Sequence, residues 1–154
     1  MNTFESILNY YIKDEYRESI IDRIADEFNY TFDNNDFYVS PEELLIMSKS
    51  GHIIGSHSVN HPVMSKLSRC NQIKEIQQSF RFLDEQNILT HKTFCHPYGG
   101  FHSFNNDTID IPINEKVQYS FNVESRDIDQ NDLIQNAHCL PRYDCNEFIY
   151  GRAS

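Results

Sequence analysis

The sequence predicts an α/β protein with a largely parallel sheet. Segments with the three-to-four-residue apolar spacing of amphipathic helices alternate along the chain with short apolar segments that are typical of buried strands. This alternation is the pattern of βα units, whose strands run parallel. The length of 154 residues suits one core rather than two.

The first part of the chain is predicted to be mainly helical. Residues 4–28 carry their apolar side chains roughly on one face and predict a helix, and the Asn- and Asp-rich residues 29–39 predict a loop. A second helix should begin after Ser40, because Ser40 can cap it and Glu43 stands three residues later to complete a capping box. Gly51 predicts its end.

Beyond residue 51, helices and strands alternate. Residues 71–89 predict a helix with apolar side chains at helical spacing. Residues 106–111 predict a short helix, which Pro112 should limit because proline lacks a backbone N–H. The candidate strands are residues 52–57, 93–95, 118–123 and 138–140.

Composition and charge exclude several classes of protein. With 13 basic and 23 acidic residues the formal net charge is −10, which disfavours nucleic acid and anionic membranes as partners. No apolar run approaches the roughly 20 residues of a membrane span, and the first residues do not resemble a secretion signal, so we expect a cytoplasmic location. The four cysteines form no C-x-x-C pair, so free thiols are expected.

The clearest candidate for chemistry is a pair of histidines, His57 and His61. Two imidazoles four residues apart can bind one metal ion from one face of a helical turn. The pair follows a predicted strand, where α/β proteins gather their ligands. The spacing by itself also arises by chance, so it does not decide between a metal site and ordinary surface histidines.

Three separated motifs sharpen this interpretation. They are residues 51–62 (GHIIGSHSVNHP), residues 94–99 (FCHPYG) and residues 140–144 (LPRYD). In this order they resemble motifs of the polysaccharide deacetylase family, also called NodB-homology domains or carbohydrate esterase family 4. The resemblance covers roughly residues 38–148. It implies a partial, distorted (β/α) barrel with mostly parallel strands. In this interpretation residues 1–39 form an N-terminal helix and polar loop, and residues 40–154 form the C-terminal part of the domain.

The resemblance also implies a function. We expect a metal-dependent hydrolase that removes N-acetyl groups from a carbohydrate or polysaccharide, with an N-acetylated sugar or glycan as substrate. By resemblance, His57 and His61 would hold a divalent metal, usually zinc. The backbone N–H of Tyr98 would help to form an oxyanion hole, and His138 is the best candidate for the general acid. The residues expected near the substrate are Pro97, Arg142 and Asp144.

The sequence departs from the family pattern in three places. One is the late histidine that acts as general acid in the family, which has no clear match here, so a surface histidine is the alternative interpretation of His138. The first family motif supplies two aspartates, a base and a third metal ligand, whereas residues 31–35 (TFDNN) offer only Asp33, with Asp36 nearby. A polar loop is the alternative interpretation of this segment. Cys95 occupies the position of an arginine in the third motif, and Arg142 is the candidate substitute.

These departures leave alternative functions open. One is a catalytically incomplete deacetylase-like domain that binds a glycan or a protein partner. Another is an unrelated metal- or protein-binding α/β domain. An incomplete barrel would expose strand edges and apolar surface, so a homodimer is a further expectation.

Overall fold

A computed structural model of the chain describes residues 7–31 and 38–149. It divides the chain into two compact units, Met1–Glu43 and Leu44–Ser154. In the first unit a π-helical turn, Ile7–Tyr11, precedes helix α1, Asp14–Glu27. The predicted N-terminal helix is therefore confirmed over most of its length, with a break at residues 12 and 13. Among the described helices, none combines the length and the apolarity needed to cross a membrane.

Helix α2, Pro41–Lys49, begins and ends as the sequence predicts. The backbone N–H of Ser40 donates to Glu43 Oε2 at 2.8 Å, and the N–H of Glu43 donates to Ser40 Oγ at 3.2 Å. The backbone hydrogen bond from Ser40 lowers the pKa of Glu43. Gly51 follows the helix with a φ of +94°, the left-handed region that ends many helices.

The second unit contains the sheet and three further helices. The helices are α3 (Arg69–Glu85), α4 (Asn106–Asn114) and α5 (Gln130–Gln135), with short 3-10 turns at Met64–Lys66 and Cys145–Glu147. The strands are β1 (Thr93–Cys95) and β2 (Tyr119–Phe121). They pair in parallel, with Phe94 opposite Ser120.

Two further segments extend this sheet through single parallel bridges. Ser56 pairs with Phe94 on one side, and Leu140 pairs with Phe121 on the other. The order across the sheet is therefore the Ser56 segment, β1, β2 and the Leu140 segment. This confirms an α/β fold with a small parallel sheet, and no barrel closes within residues 7–31 and 38–149.

The core lies between the sheet and helices α3 and α4. Phe94 of β1 is fully buried and belongs to one cluster with Ile76 and Phe80 of α3 and Ile111 of α4. Each such side chain contributes about 1.5–3 kcal/mol by leaving water. The side chain of Ser68 caps α3 by accepting from the N–H of Asn71. This packing fixes α3 behind the sheet.

Four elements differ from the sequence-based predictions. The predicted strand at residues 138–140 is a turn and bend in which only Leu140 forms a bridge. Residues 52–55 are not a buried strand: within the described residues only Ser56 of this segment pairs, and on one side alone, so Ile53 stays 60% exposed. Helix α4 continues past Pro112 to Asn114, since a proline removes only one N–H and burial of Pro112 offsets that loss. Helix α5 was not predicted, although Asp129 caps it.

Candidate metal and active site

The candidate site lies where the four parallel segments of the sheet end. Because the segments are parallel, their carboxyl ends meet at one edge, which is the usual place for ligands in α/β folds. The residues that directly follow the four segments are His57, His96, Asn122 and Pro141.

His57 and His61 lie in an irregular loop, and the predicted helical turn is wrong. Ser58 and His61 both have left-handed backbone conformations, with φ of +68° and +49°. Each costs roughly 1–3 kcal/mol for a residue other than glycine, and such strain tends to occur at functional sites. The N–H of His61 donates to Ser58 Oγ at 3.1 Å, which stabilises the turn. In this loop conformation the Nε2 atoms of His57 and His61 lie 3.1 Å apart.

The ring of His57 is held in one orientation by the sheet. Its Nδ1 lies 2.8 Å from the carbonyl oxygen of Cys95. A carbonyl only accepts, so Nδ1 carries the hydrogen and a neutral His57 leaves the lone pair of Nε2 facing His61. Histidines that bind metals are commonly oriented by such a bond to a backbone carbonyl.

The two imidazoles fit a shared divalent metal. Two nitrogens that are each about 2.0–2.1 Å from one ion lie roughly 3.0–3.4 Å apart at usual coordination angles. The observed 3.1 Å falls in this range. In the described part of the chain, no group of three or more His, Cys, Asp or Glu residues could hold a metal ion. Asp33 and Asp36, the aspartates considered from the sequence, lie outside the described residues.

The turn after β1 places Tyr98 beside the histidine pair. The rings of Tyr98 and His61 are 4.6 Å apart at an angle of 60°. Tyr98 and Gly99 have positive φ values of +62° and +69°, and the N–H of Val123 donates to Gly99 O at 2.9 Å. Pro97 is buried beneath this turn. The segment that follows β2 therefore anchors the turn, while the roles of Tyr98 and Pro97 stay predictions.

His96 and His138 form a second pair beside the first. His96 is fully buried, stacks on Phe104 with ring centroids 4.3 Å apart, and its Nε2 donates to the carbonyl of His138 at 3.0 Å. Burial lowers the pKa of His96 to about 4, so it is neutral at neutral pH. His138 Nδ1 lies 3.2 Å from Ser120 Oγ, and burial also lowers the pKa of His138. A lower pKa leaves fewer protons on His138 at neutral pH, and its role as general acid stays a prediction.

Arg142 lines an open cavity of about 580 Å³ together with His57, Cys95 and Phe121. The Nε atom of Arg142 is buried and has no hydrogen-bond partner in the described structure. Burial raises the pKa of the Cys95 thiol, while the charge of Arg142 opposes that shift. The cavity thus combines a neutral thiol, one imidazole and one guanidinium.

Asp144 is engaged in local structure. Its carboxylate accepts from the N–H of Asn146 at 2.9 Å, and its own N–H donates to Glu147 Oε1 at 2.7 Å. The bond from Asn146, with a smaller contribution from the charge of Arg142, lowers the pKa of Asp144. These contacts cap the turn at residues 145–147, and contact with a substrate stays a prediction.

Glu75 of α3 is a site residue that sequence reasoning did not single out. Its Oε2 accepts from the N–H groups of Val59 and Asn60 at 3.0 and 2.9 Å, and its Oε1 accepts from Asn60 Nδ2 at 2.7 Å. The available signal was an acidic residue directly before the buried Ile76 in the amphipathic α3. Its partner cannot be read from the sequence, since the contact spans 15 to 16 residues.

The chain matches a known family of proteins. Residues 12–120, well over half of the chain, match the family model described as polysaccharide deacetylase. The chain therefore belongs to the polysaccharide deacetylase family, as the sequence motifs predict. The matched range includes the His57–His61 loop and Tyr98 and ends before Arg142.

Two solved structures resemble the chain in fold. The Streptococcus pyogenes deacetylase PplD in complex with acetate has a TM-score of 0.61 and 20% identity, covering 68% of this chain and 44% of that one. A family 4 carbohydrate esterase from Streptomyces lividans in complex with acetate has a TM-score of 0.49 and 20% identity, covering 67% and 57%. The chain thus spans about half the length of these structures. No curated protein matches the chain.

Proposed function

We propose that this chain is the C-terminal part of a metal-dependent carbohydrate N-deacetylase domain. The reaction would hydrolyse the carbon–nitrogen bond of an N-acetyl group on a sugar or polysaccharide, giving acetate and a free amine. The observation that carries the proposal is the pair of Nε2 atoms 3.1 Å apart at the carboxyl edge of the sheet, in a member of this family. The acetate named with PplD, a deacetylase, agrees with such a product.

His57 and His61 would hold the divalent metal, and zinc is the first ion to test because neutral imidazole suits it. When bound, such an ion supplies Lewis-acid polarisation and lowers the pKa of a bound water. The bond from His57 Nδ1 to the Cys95 carbonyl supports this role, because it leaves Nε2 as the nitrogen that faces His61. The third ligand and the base would be Asp33, Asp36 or a carboxylate from another segment or chain.

The other site residues would act on the substrate. The backbone N–H of Tyr98 would donate to the developing oxyanion, which is the kind of stabilisation that acyl transfer needs. His138 would protonate the leaving amine. Arg142 and Asp144 would contact the sugar. The buried Pro97 would act on substrate binding only through the turn that carries Tyr98.

We also propose that the four parallel segments form one side of a distorted (β/α) barrel. Phe94 and Ser120 point into the helix-covered face and are fully buried. The alternate residues Thr93, Cys95 and Phe121 instead line the open 580 Å³ cavity. This cavity face is where the remaining strands of a barrel would lie.

The second candidate is a deacetylase-like domain that binds a glycan or a protein partner without catalysis. One observation favours it: within the described residues, no third His, Cys, Asp or Glu joins His57 and His61 as a possible metal ligand. We therefore expect the purified 154-residue chain to release little or no acetate from oligomers of N-acetylglucosamine in the presence of zinc. Robust release would show that the chain holds its own base and third ligand, which would remove this candidate.

Zinc stoichiometry tests the metal site directly. Purified chain is equilibrated with zinc, desalted and analysed by plasma mass spectrometry, together with His57→Ala, His61→Ala and the exposed-histidine control His91→Ala. We expect close to one zinc per chain in the wild type and the control, and loss of zinc in both loop variants. Equal zinc in all four proteins, or none in the wild type, would contradict the proposed metal site.

A further inference from the structure

The loop that carries the histidine pair is bound from behind by one carboxylate. Glu75 accepts three hydrogen bonds, from the backbone N–H of Val59, the backbone N–H of Asn60 and the side chain of Asn60. Val59 and Asn60 are two of the three residues between His57 and His61. A carboxylate that accepts several N–H groups makes short, charge-assisted bonds, which are stronger than neutral ones.

The conformation that Glu75 holds is one that the loop would not favour by itself. Ser58 and His61, on either side of the bonded pair, both have positive φ. Left-handed backbone at residues other than glycine persists only where surrounding structure enforces it. The bonds of Glu75 supply such enforcement from outside the loop.

Helix α3 is a rigid support for this carboxylate. Ile76, the next residue, is fully buried in the core. One turn further along, the hydroxyl of Ser79 lies 2.5 Å from that of Ser56, the residue directly before His57. The helix therefore contacts the histidine loop both at its start and at its centre.

We propose that Glu75 is the positioning residue that makes the Nε2 atoms of His57 and His61 converge, and so sets the metal affinity of the site. This inference rests on the proposed function. Glu75 contacts the loop and acts on the metal only through the two imidazoles. Outer partners of metal ligands typically change metal affinity or activity by about 10- to 100-fold when they are replaced.

The test compares Glu75→Gln with Glu85→Gln, an exposed carboxylate on the same helix. Zinc affinity is measured by competition with a chromophoric chelator, and folding by circular dichroism. We expect Glu75→Gln to weaken zinc binding about 10-fold or more, with a native spectrum, and Glu85→Gln to bind as the wild type does. Unchanged affinity in a folded Glu75→Gln protein would overturn the proposal.

A second measurement needs no metal and separates this proposal from the metal site itself. In metal-free protein, the Val59 and Asn60 amides should exchange with solvent slowly in the wild type and at least about 10-fold faster in Glu75→Gln, because an unbonded loop amide opens readily. Equal exchange rates would overturn the role of Glu75. If exchange is faster in Glu75→Gln but the wild type binds no zinc, Glu75 holds the loop and the proposed metal site is wrong.

Asn60→Ala provides an independent variant if Glu75→Gln does not fold. It removes only the 2.7 Å bond from the Asn60 side chain and leaves the two backbone bonds to Glu75. We expect a smaller loss of zinc affinity, about threefold, and faster exchange of the Val59 amide. Wild-type values for both quantities would count against the proposal.

Discussion

Gly99 is the position where a single methyl group should disturb the site turn most. It has a φ of +69° and lies directly after Tyr98. A Cβ added at Gly99 would lie 2.5 Å from Val123 Cγ2 and 2.8 Å from Val123 N. That same Val123 N–H donates to Gly99 O at 2.9 Å, so the contact cannot be relieved without moving a bonded backbone. Gly99→Ala therefore combines backbone strain with a steric clash.

The magnitude can be divided between these two causes. Left-handed backbone costs an alanine roughly 1–2 kcal/mol. Overpacking against fixed neighbours adds about 1–3 kcal/mol. Gly51 separates the two, because its φ is +94° but no atom of the described residues lies within 4 Å of an added Cβ. Gly51→Ala should therefore show the strain alone, and Gly99→Ala should be less stable than Gly51→Ala by about 1–3 kcal/mol.

Urea unfolding followed by circular dichroism measures both free energies of unfolding on the same chain. The difference between the two variants is the quantity of interest, since errors of extrapolation largely cancel. If Gly99→Ala is no less stable than Gly51→Ala, the close packing of the Tyr98 turn against Val123 is wrong.

Two further predictions concern pH and assembly. The pKa of His96 is about 4 in the folded chain against 6.5 when unfolded. The neutral, buried His96 therefore contributes fully to the free energy of unfolding above pH 6.5, and this contribution is lost as pH falls towards 4. The loss amounts to about 3 kcal/mol at most. Between pH 7.5 and 4.5 the urea midpoint should fall less steeply in His96→Gln than in the wild type. An equal fall in both proteins would show that His96 does not cause the loss of stability. The exposed cavity face predicts a homodimer, which sedimentation at rising concentration tests, and a monomer at the highest concentration would count against it.

Local signals in the sequence were reliable where neighbouring residues determine the structure. The capping box of Ser40 and Glu43 and the stop at Gly51 involve contacts within a few residues, and each is observed. The same kind of signal precedes α5, where Asp129 and Asp132 form a reciprocal cap.

The site could be predicted only in part. The spacing of His57 and His61 indicated that the rings would meet, yet a spacing of four does not reveal backbone conformation, and the loop is not helical. The contacts that orient the loop come from Cys95 and Glu75, which are 38 residues after His57 and 15 residues after Asn60. Such partners follow from tertiary packing, and no local pattern encodes them.

The parallel sheet also has a consequence for the order of folding. The pairing of Ser56 with Phe94 closes a loop of 38 residues, and that of Phe121 with Leu140 a loop of 19. Closing a loop twice as long costs about 0.6 kcal/mol more in chain entropy. Pairing of the Ser56 segment, which also places the histidine loop, therefore has a higher entropic cost than pairing of the Leu140 segment. Partly folded chains should contain the hydrophobic core before they contain a site able to bind anything.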